Sequence, residues 1–151
     1  MELYVLSDSQ LETTAIWQRE VERDGFPLQF QTSIPLMASK GLLPVKLKVK
    51  NTGFECVHRE AAALYRETDG LETSHRYKFA LALRWGGDIN GGVAAYLAAS
   101  SYARATDGVI FDGEESKIIS AQRAAEIGRE IEGSEAQIQK AVEAVMARFK
   151  A

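Results

Sequence analysis

Residues 77–85, YKFALALRW, are apolar at nearly every position from Phe79 to Leu83 and run directly into GGDINGG, a glycine-rich turn that opens an alanine-rich helix. A strand with no wet side needs cover on both faces, so this stretch predicts a strand at the centre of a sheet. The helix after Asp88 ends at Thr106-Asp107-Gly108 and delivers Val109-Ile110-Phe111, a further strand. Together they make a β-α-β unit with a right-handed crossover. The expectation is an α/β (α+β) fold, a single domain over residues 1–151. It has a mixed sheet of about five to six strands packed with helices, and a helical C-terminus.

The remaining elements follow from period and punctuation. Leu3–Leu6 reads as a strand, and Ser9 with Glu12 forms a capping box for a helix to about Arg23 that stops at Asp24-Gly25. Leu28–Gln31 reads as a second strand, and Ser33–Pro44 as a loop around the turn-forming Ser39-Lys40-Gly41. Val45–Lys50 alternates apolar and basic residues, the period of a half-buried strand; Asn51-Thr52-Gly53 then supplies a turn into Phe54–His58. A helix over 59–67 follows. Thr-Asp-Gly recurs at 68–70 and 106–108, which reads as two helix ends capped by left-handed glycine. Ser120 caps a helix to about Glu132, and Gly133 breaks it. Ser134 and Gln137 start another, whose stripe of Ile138, Ala141, Val142, Val145 and Phe149 packs against the rest.

Charge and composition exclude several classes. The net charge of −3, from 18 Lys plus Arg against 21 Asp plus Glu, supplies no field to gather phosphates, so no nucleic-acid partner is expected. No apolar run approaches the roughly 20 residues of a membrane span. One cysteine, Cys56, precludes an internal disulfide, and no leader-like pattern opens the chain, so the expected compartment is the cytoplasm. Two histidines and one cysteine without HExxH or CxxC give no metal site and no cofactor.

Residues 84–92, RWGGDINGG, admit two readings. A glycine turn at a helix N-terminus, here Gly86-Gly87, points backbone N–H groups at a phosphate. Alternatively Asp88 caps the helix, and Gly91, Gly92, Ala94, Ala95, Ala98 and Ala99 give it a smooth side for close packing on the sheet. Trp85, beside Arg84 and Asp88, suits a surface anchor or a core edge. Cys56 and His58 lie two apart on one strand face, the spacing of a thiolate-imidazole dyad in a small hydrolase or transferase, or of a buried cysteine beside a surface histidine. Asp112, Glu114 and Glu115 form an acidic cluster after a strand, either solvated turn charge or a face for a basic partner protein.

Gly53-Phe54-Glu55-Cys56 before a helix, the Phe79–Asp88 strand exit, and Thr106–Asp112 after the alanine-rich helix resemble small bacterial α+β proteins of polymorphic toxin systems, over roughly residues 40–132. Several of these are immunity proteins. The resemblance implies a non-enzymatic protein that binds and neutralises a cognate toxin. Candidate contact residues are Trp85, Asp88, Asn90, Asp112, Glu114 and Glu115, which converge if the loops after Trp85 and Phe111 leave the same end of the sheet. The amphipathic C-terminal helix adds the option of a homodimer.

Overall fold

The computed structural model describes residues 1–38 and 41–150, so the Ser39-Lys40 part of the expected turn lies outside the described residues. Among these residues seven strands form one sheet: β1 (Glu2–Ser7), β2 (Leu28–Phe30), β3 (Leu42–Leu47), β4 (Lys50–Glu60), β5 (Phe79–Arg84), β6 (Val109–Asp112) and β7 (Lys117–Ile119). Their order is β2-β3-β4-β5-β1-β6-β7, which puts β5 at the centre as its apolar run demands. The α+β class is as expected. The sheet differs in detail: it has seven strands rather than five or six, and every neighbouring pair is antiparallel rather than mixed.

Among the described residues four helices accompany the sheet: α1 (Thr14–Arg23), α2 (Ala61–Glu67), α3 (Ile89–Thr106) and α4 (Ala121–Lys150), with a short 3-10 turn at Leu36–Ala38. α3 is buried along almost its whole length, between the sheet and the helices α1 and α4. Its alanines explain how: small side chains let the helix approach neighbours on several sides at once. The core on this face gathers Leu3, Val5, Trp17, Val45, Leu47, Phe54, Leu81, Leu83 and Tyr102. Trp17 is fully buried and donates its indole N–H to the Ala98 carbonyl at 2.9 Å. The other sheet face is covered by α2, through Tyr4, Leu6, Leu64, Leu71 and Phe111.

Several local expectations are corrected. The first helix starts at Thr14, capped by the Thr13 hydroxyl, which accepts from Ile16 N–H at 3.2 Å; the Ser9-Glu12 box does not form. The preceding residues are held elsewhere: the Lys78 N–H donates to the Asp8 carboxylate at 3.1 Å, Ser7 donates to the Ser9 carbonyl, and Leu11 N–H reaches the Tyr102 hydroxyl. The hairpin turns at Lys48-Val49, with Lys48 at φ 56°, and Pro44 lies inside β3 rather than in the loop. Asn51-Thr52-Gly53 is strand. Both glycines serve close approach instead: a Cβ on Gly53 would lie 2.8 Å from the Leu43 carbonyl oxygen, and one on Gly91 of α3 2.9 Å from the Gly53 carbonyl oxygen. At the end of α3 the left-handed cap is Asp107 (φ 53°), not glycine.

The largest departure is at the C-terminus. Ser120 caps the helix as expected, accepting from Arg123 N–H at 3.0 Å, but α4 continues through Gly133 as one helix of 30 residues. At 1.5 Å rise per residue that is roughly 45 Å. Its first half packs on α3, where Gly128 meets Leu97 and Ser100 donates to the Ala121 carbonyl at 2.7 Å. The stripe of Ile138, Val142, Val145 and Phe149, expected to pack, is exposed.

Candidate functional site at the Trp85 end of the sheet

β5 and β6 both run antiparallel to β1, which lies between them, so they are parallel to each other although they do not touch. The loops that follow them therefore leave the same end of the sheet. The start of β1 ties them together: Trp85 N–H donates to the Met1 carbonyl at 3.1 Å, and Gly113 N–H donates to the Glu2 carbonyl at 3.1 Å. The amino group of Met1 donates to the Trp85 carbonyl at 3.3 Å and lies 3.9 Å from the Glu114 carboxylate.

Two clefts flank Trp85. One, of about 430 Å³, is lined among others by Glu2, Leu42, Phe54, Glu55, Arg84 and Trp85. The other, of about 220 Å³, is lined by Trp85, Asp88, Ile89, Tyr96, Glu114 and Ile131 among others. The indole is half-buried between them and meets the Tyr96 ring edge-on, with centroids 5.5 Å apart. Gly92 makes room for it, because a Cβ there would come within 2.8 Å of the indole nitrogen. The second glycine pair of RWGGDINGG thus serves packing. Gly86 and Gly87 have open space where a Cβ would stand.

Asp88 is the N-cap of α3: one carboxylate oxygen accepts from Asn90 N–H at 3.1 Å, and the other accepts from the Thr52 hydroxyl. With that anion already on the free helix N–H group, the turn is poorly disposed to a phosphate. Trp85, Asp88 and Glu114 do come together in one cleft. Asn90 faces a different groove, beside the Lys48-Val49-Lys50 hairpin and α4. Glu115 is exposed in the turn before β7.

Asp112 has another use. It is 1% exposed and accepts from the Tyr96 hydroxyl at 3.0 Å and from Glu114 N–H at 2.9 Å, so it braces the turn that carries the other acids. Burial and then the Asp112 charge push the Tyr96 phenol well above its ordinary range. Charge reversal at Asp112 would therefore disrupt the fold, unlike the same change at Glu114 or Glu115.

The expected set omitted Met1, Glu2, Leu42 and Glu55. Glu2 and Glu55 stand opposite Arg84 on the two strands beside β5, and the Arg84 guanidinium donates to Glu2 at 3.0 Å. Cross-strand opposition of unlike charges is the signal that could have found them, once the register was known.

Cys56 and His58 lie on β4, opposite Leu83 and Leu81 of β5, and line neither cleft. The Cys56 side chain is fully buried, and burial pushes its thiol up to about 12, so it holds its proton at neutral pH. Burial lowers the His58 imidazole below its ordinary value. The Gln10 amide nitrogen sits 3.3 Å from Nδ1, while Nε2 is buried without a hydrogen-bond partner among the described residues.

Among the described residues no group of three or more His, Cys, Asp or Glu is placed to hold a metal ion, and no helix is long and apolar enough to cross a membrane. Comparison with protein-family models, with curated proteins and with solved structures finds no match to this chain.

Proposed function

We propose that this chain is a non-enzymatic binding protein of the cytoplasm, an immunity protein that occludes or distorts the active site of a cognate bacterial toxin domain. The observation that carries the reading is the Trp85 end of the sheet. There a half-buried indole stands between two clefts lined by Glu2, Glu55, Asp88 and Glu114, with Arg84 and the Met1 amino group the cations that line them among the described residues. An aromatic anchor in a pocketed surface is the usual centre of an interface, and an excess of one sign around it speeds capture of a partner of the opposite sign. A toxin domain with a basic face around its active site fits this surface. No observation favours chemistry at Cys56: a buried, protonated thiol is the reverse of an activated nucleophile.

The test is affinity capture of the tagged protein from its native bacterial lysate, with a salt wash and mass spectrometry. The expected result is one stoichiometric partner carrying a toxin-like domain, lost from the double variant Glu114→Lys, Glu115→Lys. Capture of no partner at any salt concentration, or an unchanged association rate in the double variant, contradicts the reading.

A further inference from the structure

α4 carries one apolar stripe along its length, and the stripe has two fates. Ile127 and Ile131 pack against the core, while Ile138, Val142, Val145, Met146 and Phe149 are 62%, 56%, 49%, 53% and 81% exposed. The spacing keeps both sets on one side of the helix. The far half therefore overhangs the body with its apolar face turned the same way as the packed half. It leaves the body beside the Lys48–Lys50 hairpin, where Lys48 pairs with Glu132 at 2.9 Å and Lys50 with Glu135 at 4.0 Å. Ile131, at the end of the packed half, lines the 220 Å³ cleft with Trp85 and Ile89.

We infer that this overhang is the site of self-association: two copies of the chain pair their α4 helices antiparallel about a two-fold axis. Two observations select a second copy as occupant. First, five large side chains exposed to this degree offer on the order of 500 Å² of contiguous apolar surface, at the upper end of the largest patch a monomer ordinarily shows. An isologous contact uses that patch twice and buries on the order of 1,000 Å², the area at which specific interfaces begin. Second, the surface is self-complementary. With the axis between Ala141 and Val142, Ile138 of one copy faces Val145 of the other, and Ala141 faces Val142. Phe149 then falls within one helical turn of Ile131 of the other copy.

Sedimentation equilibrium of the full chain over a range of concentrations tests the inference. A dimer of defined mass is expected, with Val142→Glu sedimenting as a monomer and melting as a folded protein. An equimolar mixture of Ile138→Cys and Val145→Cys proteins, oxidised, is expected to cross-link between the two variants and far less within either alone. A monomer at every concentration, or a Val142→Glu protein that remains dimeric, overturns the inference; cross-linking within each variant alone overturns the antiparallel pairing. The two readings fail separately: a chain that captures no partner from the lysate still sediments as a dimer if this inference holds, and a chain that is monomeric at every concentration still captures its toxin if that reading holds.

Discussion

The two halves of α4 have the same apolar period and opposite environments. From Ala121 to Ile131 the stripe lies on α3, with Ala124 fully buried and Gly128 against Leu97. From Ile138 to Phe149 the same stripe meets no other part of the described chain that buries it. Amphipathic spacing states that a helix face requires cover; it does not state what supplies the cover. α3 shows the complementary case. It carries little amphipathic asymmetry because it is buried on nearly every side, and its alanines and glycines report close approach rather than a wet face.

Substitutions with matched chemistry in the two halves break this comparison if it is wrong. The largest effect is expected from Ala124→Asp, which places a charge without a partner under α3. Urea unfolding should show a loss of about 3–5 kcal/mol, whereas Val142→Asp at a concentration that keeps the protein monomeric should stay within about 0.5 kcal/mol. Equal losses would mean the far half is packed. Next in size is Asp112→Ala, which leaves the Tyr96 hydroxyl and the Glu114 N–H without their acceptor. It should cost about 1–3 kcal/mol, while the exposed Glu114→Lys should cost little.

Gly133 sharpens the comparison because it sits between the halves with open space at its Cβ position. Gly133→Ala should raise the unfolding free energy by about 0.5–1 kcal/mol if the helix is continuous there, and have no such benefit if the chain breaks at this residue. The smallest effect concerns His58, half-buried on β4 with its imidazole lowered by burial. The unfolded chain then takes up a proton more readily than the folded one. Stability falls as pH drops below about 6.5 toward the lower folded value, and the loss is complete below it. A urea series across that window should show a flatter profile for His58→Gln than for the wild type.

The parts of the fold legible in the sequence were those set by local pattern. The unbroken apolar run of β5 placed it at the centre, Asp88 announced the start of α3, and Ser120 the start of α4. Where tertiary contacts competed with local signals, the contacts prevailed. Ser9 and Glu12 have the capping spacing, yet Asp8 is held by Lys78 across the sheet end and the helix waits until Thr13. Gly53 reads as turn but pairs with Pro44 inside the sheet and lies against Gly91, and the hairpin closes at Lys48, a left-handed residue that is not glycine. Gly133 reads as a break, but one helical glycine costs only about 1 kcal/mol, which the flanking turns offset.

The candidate site was half legible for the same reason. Trp85, Asp88 and Glu114 were recognisable as polar and aromatic residues beside strand ends. That Met1 and Glu2 lie between them depends on β1 inserting between β5 and β6, two long-range pairings that no local pattern encodes. Asp112 was indistinguishable in sequence from its acidic neighbours. Its burial follows from the Tyr96 hydroxyl, which stands 16 residues before it on α3.

Amide hydrogen exchange along α4, measured at a low and a high protein concentration, tests the two-environment account most directly. The account predicts strong protection over residues 121–131 at both concentrations, and protection over 138–149 that is weak in dilute protein and rises with concentration as the stripe is covered by a second copy. Equal, strong protection of both halves in the most dilute sample would contradict it.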